Sequence, residues 1–262
     1  MQLVDKGKLD LDAPVQKYLL SFPVKQWTLT TRHLLGHLGG IRSYKDLYET
    51  YNTRHYPSVA DALNLFEQDP LLQEPGTTYA YSTYGYVLAG RVVEIAAGEP
   101  YLDYMQISSR RRHEGHPSRQ RVPLDPKPCA RLSGAAGWRD RKLRTARHQW
   151  SSPGGGFSST AGDLVRFALA FDTGKLLTKG SMEAMTRPMS TRDGKSTGYG
   201  LGWGVHERLG RRHLSHSGGQ SGVSTLLVYL PTQHVALALM INLEGQSLQG
   251  LTDRIVDLLF EP

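Results

Sequence analysis

Two short groups of residues in this 262-residue chain combine side chains that acid–base chemistry uses. The first is Tyr81-Ser82-Thr83, which follows a turn at Pro75-Gly76 and precedes a predicted helix. A tyrosine at such a junction can accept a proton where neighbouring cations lower its pKa from about 10. On local sequence alone, the alternative is favoured: a tyrosine packed in the core, whose hydroxyl makes a structural hydrogen bond.

The second group is His216-Ser217-Gly218-Gly219, predicted at the end of a strand. Glycines there would let a substrate lie against the strand edge, and a free backbone N–H can stabilise an oxyanion. His216 could offer a hydrogen bond or a positive charge to a carbonyl or an anion. A hairpin turn with an incidental histidine remains the alternative interpretation.

The elements that must position these residues follow from the apolar spacing. Apolar residues between Tyr84 and Ala97 lie on one face of a predicted helix, and the last residues form an amphipathic helix. Residues 199–208, 222–230 and 234–242 predict strands, with turns at Gly218-Gly219 and Pro231. Strands connected this closely favour an antiparallel sheet with helices beside it.

The overall composition, with 39% hydrophobic and 21% charged residues, is that of a globular protein. No stretch approaches the roughly 18 apolar residues of a membrane span, and the first residues lack the apolar core of a secretory signal. The single cysteine, Cys129, excludes internal disulfides and a cysteine metal cluster. His33 and His37 lie four residues apart but have no glutamate neighbour, so we expect no metal and no cofactor.

Residues 107–148 differ from the rest of the chain in charge. They hold ten arginines and two lysines against three acidic residues, in a chain whose formal net charge is +7. They show neither a helical nor a strand period. A shifted reading frame, an arginine-rich insertion loop and a nucleic-acid-binding arm are the three alternatives. No aromatic residues alternate with the basic ones to stack on bases, so we expect no nucleic acid as partner.

Several segments, in order, carry a resemblance to a known family. They are LDLDAPVQKYL, TLTTRHLLGHLGGIRSY, EPGTTYAYSTYGYVLAGRVVEIAAG, GGGFSSTAGDLVRFA, YGLGWGV and LSHSGGQSGVSTLLVYLP. This ordered set resembles the serine beta-lactamase superfamily in its class C and penicillin-binding-protein-like branch, especially the mitochondrial members of animals and their bacterial relatives. The resemblance covers nearly the whole chain except 107–148.

The resemblance implies an acyl-enzyme mechanism on a serine of a Ser-x-x-Lys motif. By this resemblance, Tyr81 matches the proton-shuttling tyrosine, and Thr83 stands where many members have asparagine. His216 and Gly218 match the lysine and glycine of the third motif, with Ser217 between them as a substrate-binding residue. Gly219 matches the residue whose backbone N–H completes the oxyanion hole. Histidine at that position is typical of the esterase-like and peptidase-like members.

One departure concerns the nucleophile. No serine or threonine of this chain is followed three residues later by lysine. In the family that motif begins a helix whose end resembles the first residues here. We therefore expect the nucleophile helix and the N-terminal strands to be missing and the chain to be catalytically inactive.

The sequence thus predicts a single, partial beta-lactamase-related domain over 1–262, with an aberrant segment at 107–148. The fold class is α+β, an antiparallel sheet flanked by helices plus a helical lobe. The resemblance implies a metal-free serine hydrolase of small-molecule or peptide amides or esters. A non-catalytic remnant that binds a partner is the alternative, and a basic nucleic-acid-binding protein is a further one. Location and oligomeric state stay open, since relatives are exported in bacteria and mitochondrial in animals.

Overall fold

The computed structural model of the protein describes residues 1–50, 56, 58–110, 152–157, 159–174 and 176–261. Residues 111–148 of the arginine-rich segment, including Cys129, lie outside this range, so the expectations for them stay predictions. The helices are α1 (Gln2–Asp5), α2 (Thr31–Leu35), α3 (Leu47–Thr50), α4 (Val59–Leu63), α5 (Thr83–Ala97), α6 (Tyr101–Arg110), α7 (Ser152–Gly155), α8 (Ala161–Leu169), α9 (Lys179–Thr186) and α10 (Gln249–Phe260), with 3₁₀ turns at Val15–Lys17 and Ala170–Thr173. The strands are β1 (Gly204–Arg208), β2 (Arg211–Gln220), β3 (Val223–Leu230) and β4 (Val235–Ile241).

The strands form one antiparallel sheet in the order β1-β2-β3-β4, as the strand spacing predicts. Two-residue loops join β1 to β2 and β2 to β3. The prediction of a turn at Gly218-Gly219 is wrong, because these glycines continue the β2 ladder opposite β3. The chain turns at Ser221 and Gly222 instead, and Gly222 has the positive φ of 77° that a tight turn favours in glycine.

Helices cover both faces of the sheet. On one face, Leu227 and Tyr229 of β3 pack with the residues around α8. On the other face, Leu226, Val228 and Leu230 pack with residues of α10 and the segment before it. This alternation follows from the two-residue period of a strand, and it leaves β3 apolar on both faces because both faces are buried.

A helical lobe lies beside the sheet, and α5 is at its centre. The side chains of Tyr84, Val87, Leu88 and Val92 are fully buried in the largest apolar cluster. The helix begins where Ser82 caps it and ends at Gly98, which adopts the left-handed conformation common at helix C-termini. The sequence-based prediction of this helix is therefore confirmed, and its start fixes the residues just before it.

No helix among the described residues has the length and hydrophobicity that a membrane span requires. The described side chains also contain no group of three or more His, Cys, Asp or Glu residues arranged to hold a metal ion.

Candidate functional site

Tyr81 lies immediately before the first turn of α5, with half of its surface exposed. The neighbouring Ser82 is buried, and its hydroxyl accepts a hydrogen bond from the Gly85 N–H at 3.0 Å. The same hydroxyl donates to the carbonyl of Arg42 at 2.8 Å. The cap thus fixes the backbone at Ser82, so that Tyr81 stands at the rim of the lobe rather than in its core.

Thr83, the first residue of α5, is held from two sides. A hydrogen bond joins its side chain to that of Tyr44. On its other side lies Gly154 of α7, where an added Cβ would come within 2.5 Å of the Thr83 Cγ2. Only glycine therefore fits at 154 without displacing Thr83.

The edge of β2 is open at the motif His216 to Gly219. β1 pairs with residues 211–215 only, so the second half of β2 has β3 as its single neighbour among the described residues. The loop between β1 and β2 has two residues with positive φ, Leu209 and Gly210, so Arg208 and Arg211 form a hydrogen-bonded pair.

Alternate residues of a strand direct their backbone groups to opposite sides. Because Arg211 and Ser215 bond towards β1, the N–H and C=O groups of Ser217 and Gly219 also point away from β3. At these two residues no strand of the described chain takes up the hydrogen bonds. Gly219 is also open on its side-chain side, since an added Cβ would meet nothing within 4 Å.

A cluster of rings brings Tyr81 and His216 into one region. The buried His37 ring lies 4.2 Å from the Tyr81 ring and 5.0 Å from the Tyr199 ring, measured between centroids. Tyr199 in turn lies 6.3 Å from the His216 ring. The two sequence motifs therefore face each other across His37 and Tyr199.

The short helix α7 is a second connection between the start of α5 and the end of β2. The Gly155 carbonyl accepts a hydrogen bond of 2.9 Å from the side-chain amide of Gln220, at the end of β2. Gly154 meanwhile packs on Thr83 at the start of α5. Gly154 and Gly155 form the end of this helix, and Gly156 follows it.

The electrostatics of the site keep its side chains neutral. Burial raises the pKa of Tyr81 above its ordinary value, and no neighbouring cation of the described chain lowers it. Burial also lowers the pKa of His216. At neutral pH, Tyr81 is therefore a protonated hydroxyl and His216 an uncharged ring, so of the two roles expected for His216 the hydrogen bond is favoured over the positive charge.

Sequence reasoning missed two members of this region. The sequence predicts Tyr199 to lie in a strand, within residues 199–208. In the structure it precedes β1 and packs against the site with a buried hydroxyl. His37 has no assigned role in the sequence analysis, but in the structure its ring contacts that of Tyr81. The run Tyr79-Ala-Tyr81, with Tyr86 one helical turn beyond, is the only sequence signal for this ring cluster.

Comparisons with known proteins agree with this arrangement. The human mitochondrial serine beta-lactamase-like protein LACTB is 27% identical over 343 aligned residues, which cover 88% of this chain and 60% of the human protein. The chain thus spans about three fifths of the length of this curated relative.

Two solved structures show the same fold. The penicillin binding protein from Bacillus halodurans matches with a TM-score of 0.72 at 24% identity, over 98% of this chain and 80% of that one. A D-stereospecific amidohydrolase from Streptomyces sp. matches with a TM-score of 0.72 at 24% identity, over 99% and 81%. Helices on an antiparallel sheet are therefore the architecture of these hydrolase-type proteins as well.

The sequence model of the family described as Beta-lactamase matches residues 1–260, nearly the full length of the chain. The ordered motifs and the antiparallel sheet are thus explained together: the chain belongs to the beta-lactamase family.

Proposed function

We propose that the surface between the start of α5 and the open edge of β2 binds an amide or ester substrate of the peptidase or esterase type. The observation that carries this proposal is the pair of outward-facing backbone groups at Ser217 and Gly219, on the strand whose His216 is linked to Tyr81 through the rings of Tyr199 and His37. Free N–H groups on a rigid strand are suited to stabilise the oxygen of an acyl group as it gains negative charge.

Each site residue has a role in this proposal. The Gly219 N–H is the oxyanion donor, the outward-facing backbone of Ser217 holds the substrate backbone, and Gly218 between them carries no side chain that would obstruct it. The neutral His216 ring hydrogen-bonds the Ser217 backbone and offers its other nitrogen to the substrate. The Tyr81 hydroxyl is the proton-transfer group of the site and, with no acylated group in this chain, hydrogen-bonds the bound ligand.

Thr83 completes the substrate-binding residues. Its hydroxyl can donate to a substrate carbonyl, although it reaches less far than the asparagine amide that many family members carry. Its hydrogen bond to Tyr44 and its contact with Gly154 hold it in one place, which supports a positioning role at the rim.

The names of the similar proteins suggest the substrate class. A D-stereospecific amidohydrolase and a penicillin binding protein share the fold. The first name points to amides of D-configured compounds, and the second points to penicillin, itself an amide, as a ligand. We therefore choose N-acetyl-D-phenylalanine amide as a test ligand.

The printed chain contains no Ser-x-x-Lys or Thr-x-x-Lys sequence. We infer that these 262 residues carry the binding and proton-transfer side of the site without a group that becomes acylated. Without an acyl-enzyme, the chain binds such ligands reversibly and does not turn them over.

The proposal is tested by deleting one N–H. Gly219→Pro removes the proposed oxyanion donor, whereas Gly219→Ala keeps it and adds a Cβ into open space. We expect the Ala variant to bind N-acetyl-D-phenylalanine amide as the parent does, and the Pro variant to bind about tenfold more weakly, as for one lost hydrogen bond of about 1.4 kcal/mol. Dissociation constants from an NMR titration of the full chain give the comparison.

Circular dichroism of both variants serves as the folding control. Equal affinity of the folded Pro and Ala variants would contradict the assignment of Gly219, and absence of any binding to the parent chain would contradict the proposed function itself.

A further inference from the structure

His37 is the most enclosed polar residue of the site region. It follows α2, is 2% exposed, and adopts a left-handed backbone conformation with φ 55°. A non-glycine residue in this conformation is uncommon and is retained where the surroundings require it. At His37 this conformation lets the residue bind the segment that carries Tyr81.

His37 binds the backbone on both sides of Tyr81. Its carbonyl accepts a hydrogen bond of 2.8 Å from the Ala80 N–H. Its ring Nδ1 accepts another, of 3.2 Å, from the Ser82 N–H. The ring itself lies against the Tyr81 ring, with the planes 39° apart. One residue therefore holds the backbone N–H groups of the residues before and after Tyr81, and it covers one face of the Tyr81 phenol.

The hydrogen bond to Ser82 also fixes the tautomer of the ring. Because Nδ1 accepts a hydrogen bond from the Ser82 N–H, the proton of the neutral imidazole lies on Nε2. The Nε2 atom is buried and has no hydrogen-bond partner among the described residues.

We propose that His37 is a positioning residue for Tyr81, holding the tyrosine at the rim of the site through the acceptor Nδ1 of a neutral ring. This inference rests on the proposed function, in which Tyr81 transfers the proton. The role requires an uncharged ring, because a protonated imidazole has no acceptor and would lose the bond to Ser82.

The surroundings of His37 favour that neutral ring. The titratable groups that face it are tyrosines and one histidine: Tyr79, Tyr81, Tyr86, Tyr199 and His216. None of them carries a negative charge at neutral pH that would stabilise an imidazolium. Burial, together with the proximity of His216, lowers the pKa of His37 to about 4.

Two variants of matched shape test the role. His37→Asn keeps an acceptor oxygen where Nδ1 stands, and asparagine tolerates the left-handed backbone. His37→Leu has the same branched shape without an acceptor. Leucine is less suited than asparagine to the left-handed backbone, so the two variants are compared by local readouts at Ser82 and Tyr81 and not by their overall stability.

The readouts are the hydrogen exchange rate of the Ser82 amide and the NMR signal of the ¹³Cζ-labelled Tyr81 ring, both in the full chain without ligand. We expect the Asn variant to keep both, and the Leu variant to exchange the Ser82 amide about fivefold faster, as for one ordinary hydrogen bond, with a shifted Tyr81 signal. Identical behaviour of the two variants would overturn the proposal.

A measurement on the unmodified chain keeps the proposal falsifiable if the Leu variant fails to fold. The ¹⁵N signals of the His37 ring are expected to show an unprotonated Nδ1 and a protonated Nε2 at pH 7, and the opposite tautomer would overturn the proposal. None of these readouts requires substrate, so loss of ligand binding in the Gly219 experiment and loss of the His37 effect are separate results.

Discussion

At the scale of single residues, burial determines the chemistry of this site. Tyr81 is half exposed, yet its pKa is raised by desolvation because nothing cationic in the described chain faces it. His216 and His37 have lowered pKa values for the same reason. The consequence is a neutral site whose groups act as hydrogen-bond donors and acceptors, and a base there would need a further cation within about 4–6 Å.

The lowered pKa of His37 predicts a loss of stability in mild acid. Its folded-state pKa of about 4 lies below the unfolded value of 6.5, so the unfolded chain binds the proton more readily between these values. The free energy of unfolding contributed by this residue is therefore full above pH 6.5 and falls by about 3 kcal/mol as the pH drops to 4.

His37→Asn removes this titration and provides the comparison. Urea unfolding of the parent and the Asn variant at pH 7.0, 5.5 and 4.5 measures the difference in their stabilities. We expect the advantage of the parent to shrink as the pH falls, and a difference that does not change with pH would contradict the assignment.

Some of the site residues can be recognised from the sequence alone. Tyr81 and His216 stand out because their neighbours have recognisable types and order. His37 and Tyr199 do not stand out, because the contact of His37 with Tyr81 joins residues 44 positions apart and its contact with Tyr199 joins residues 162 positions apart. No local pattern reports the burial that sets their protonation.

At the scale of elements, the site depends on how α5, α7 and β2 meet. α7 touches Thr83 at the start of α5 and Gln220 at the end of β2, so it sets the distance between the two sides of the site. Its glycines are required by this close approach and not by a phosphate ligand, which is the other role that such a run can suggest.

Gly154→Ala tests this requirement. The new Cβ would lie 2.5 Å from Thr83 Cγ2 and 3.1 Å from the Thr83 carbonyl oxygen, so α7 must move away from α5. We expect the free energy of unfolding to fall by about 2 kcal/mol, as for overpacking in a well-packed region. Chemical denaturation gives the value.

Gly180→Ala in α9 is the matched control, because a Cβ there meets nothing within 4 Å. That variant should be as stable as the parent or more stable by up to about 1 kcal/mol, since alanine favours a helix over glycine. Equal effects of the two substitutions would show that α7 does not pack closely on α5.

Element boundaries were predictable where side chains cap them. Ser82, Ser58 and Thr30 cap α5, α4 and α2. The end of β2 was not predictable, because Gly218 and Gly219 resemble a turn locally. Pairing with β3 over seven residues outweighs that local preference.

At the scale of the whole molecule, the class of fold follows from the order of the elements. Closely spaced strands in the last third, with helices before and after them, favour an antiparallel sheet in an α+β protein, and the structure has this arrangement. The family resemblance adds the expectation of a site between the two parts. The order of the elements does not determine the register of each strand, because the register depends on contacts across the sheet.

One edge of this sheet is strongly apolar. β4 consists of seven apolar residues, Val235–Ile241, and pairs with β3 alone among the described residues. Helices α8 and α10 pack on the two faces of this strand, so its apolar side chains are partly covered.

We propose that residues 1–262 carry the binding side of an acyl-transfer site without the group that is acylated. This proposal can be tested by intact-mass spectrometry of the full chain after incubation with benzylpenicillin or a fluorophosphonate, with a penicillin-binding relative as the positive control. We expect the mass of this chain to stay unchanged while the relative gains one equivalent of probe. A covalent adduct on any serine of residues 1–262 would contradict it.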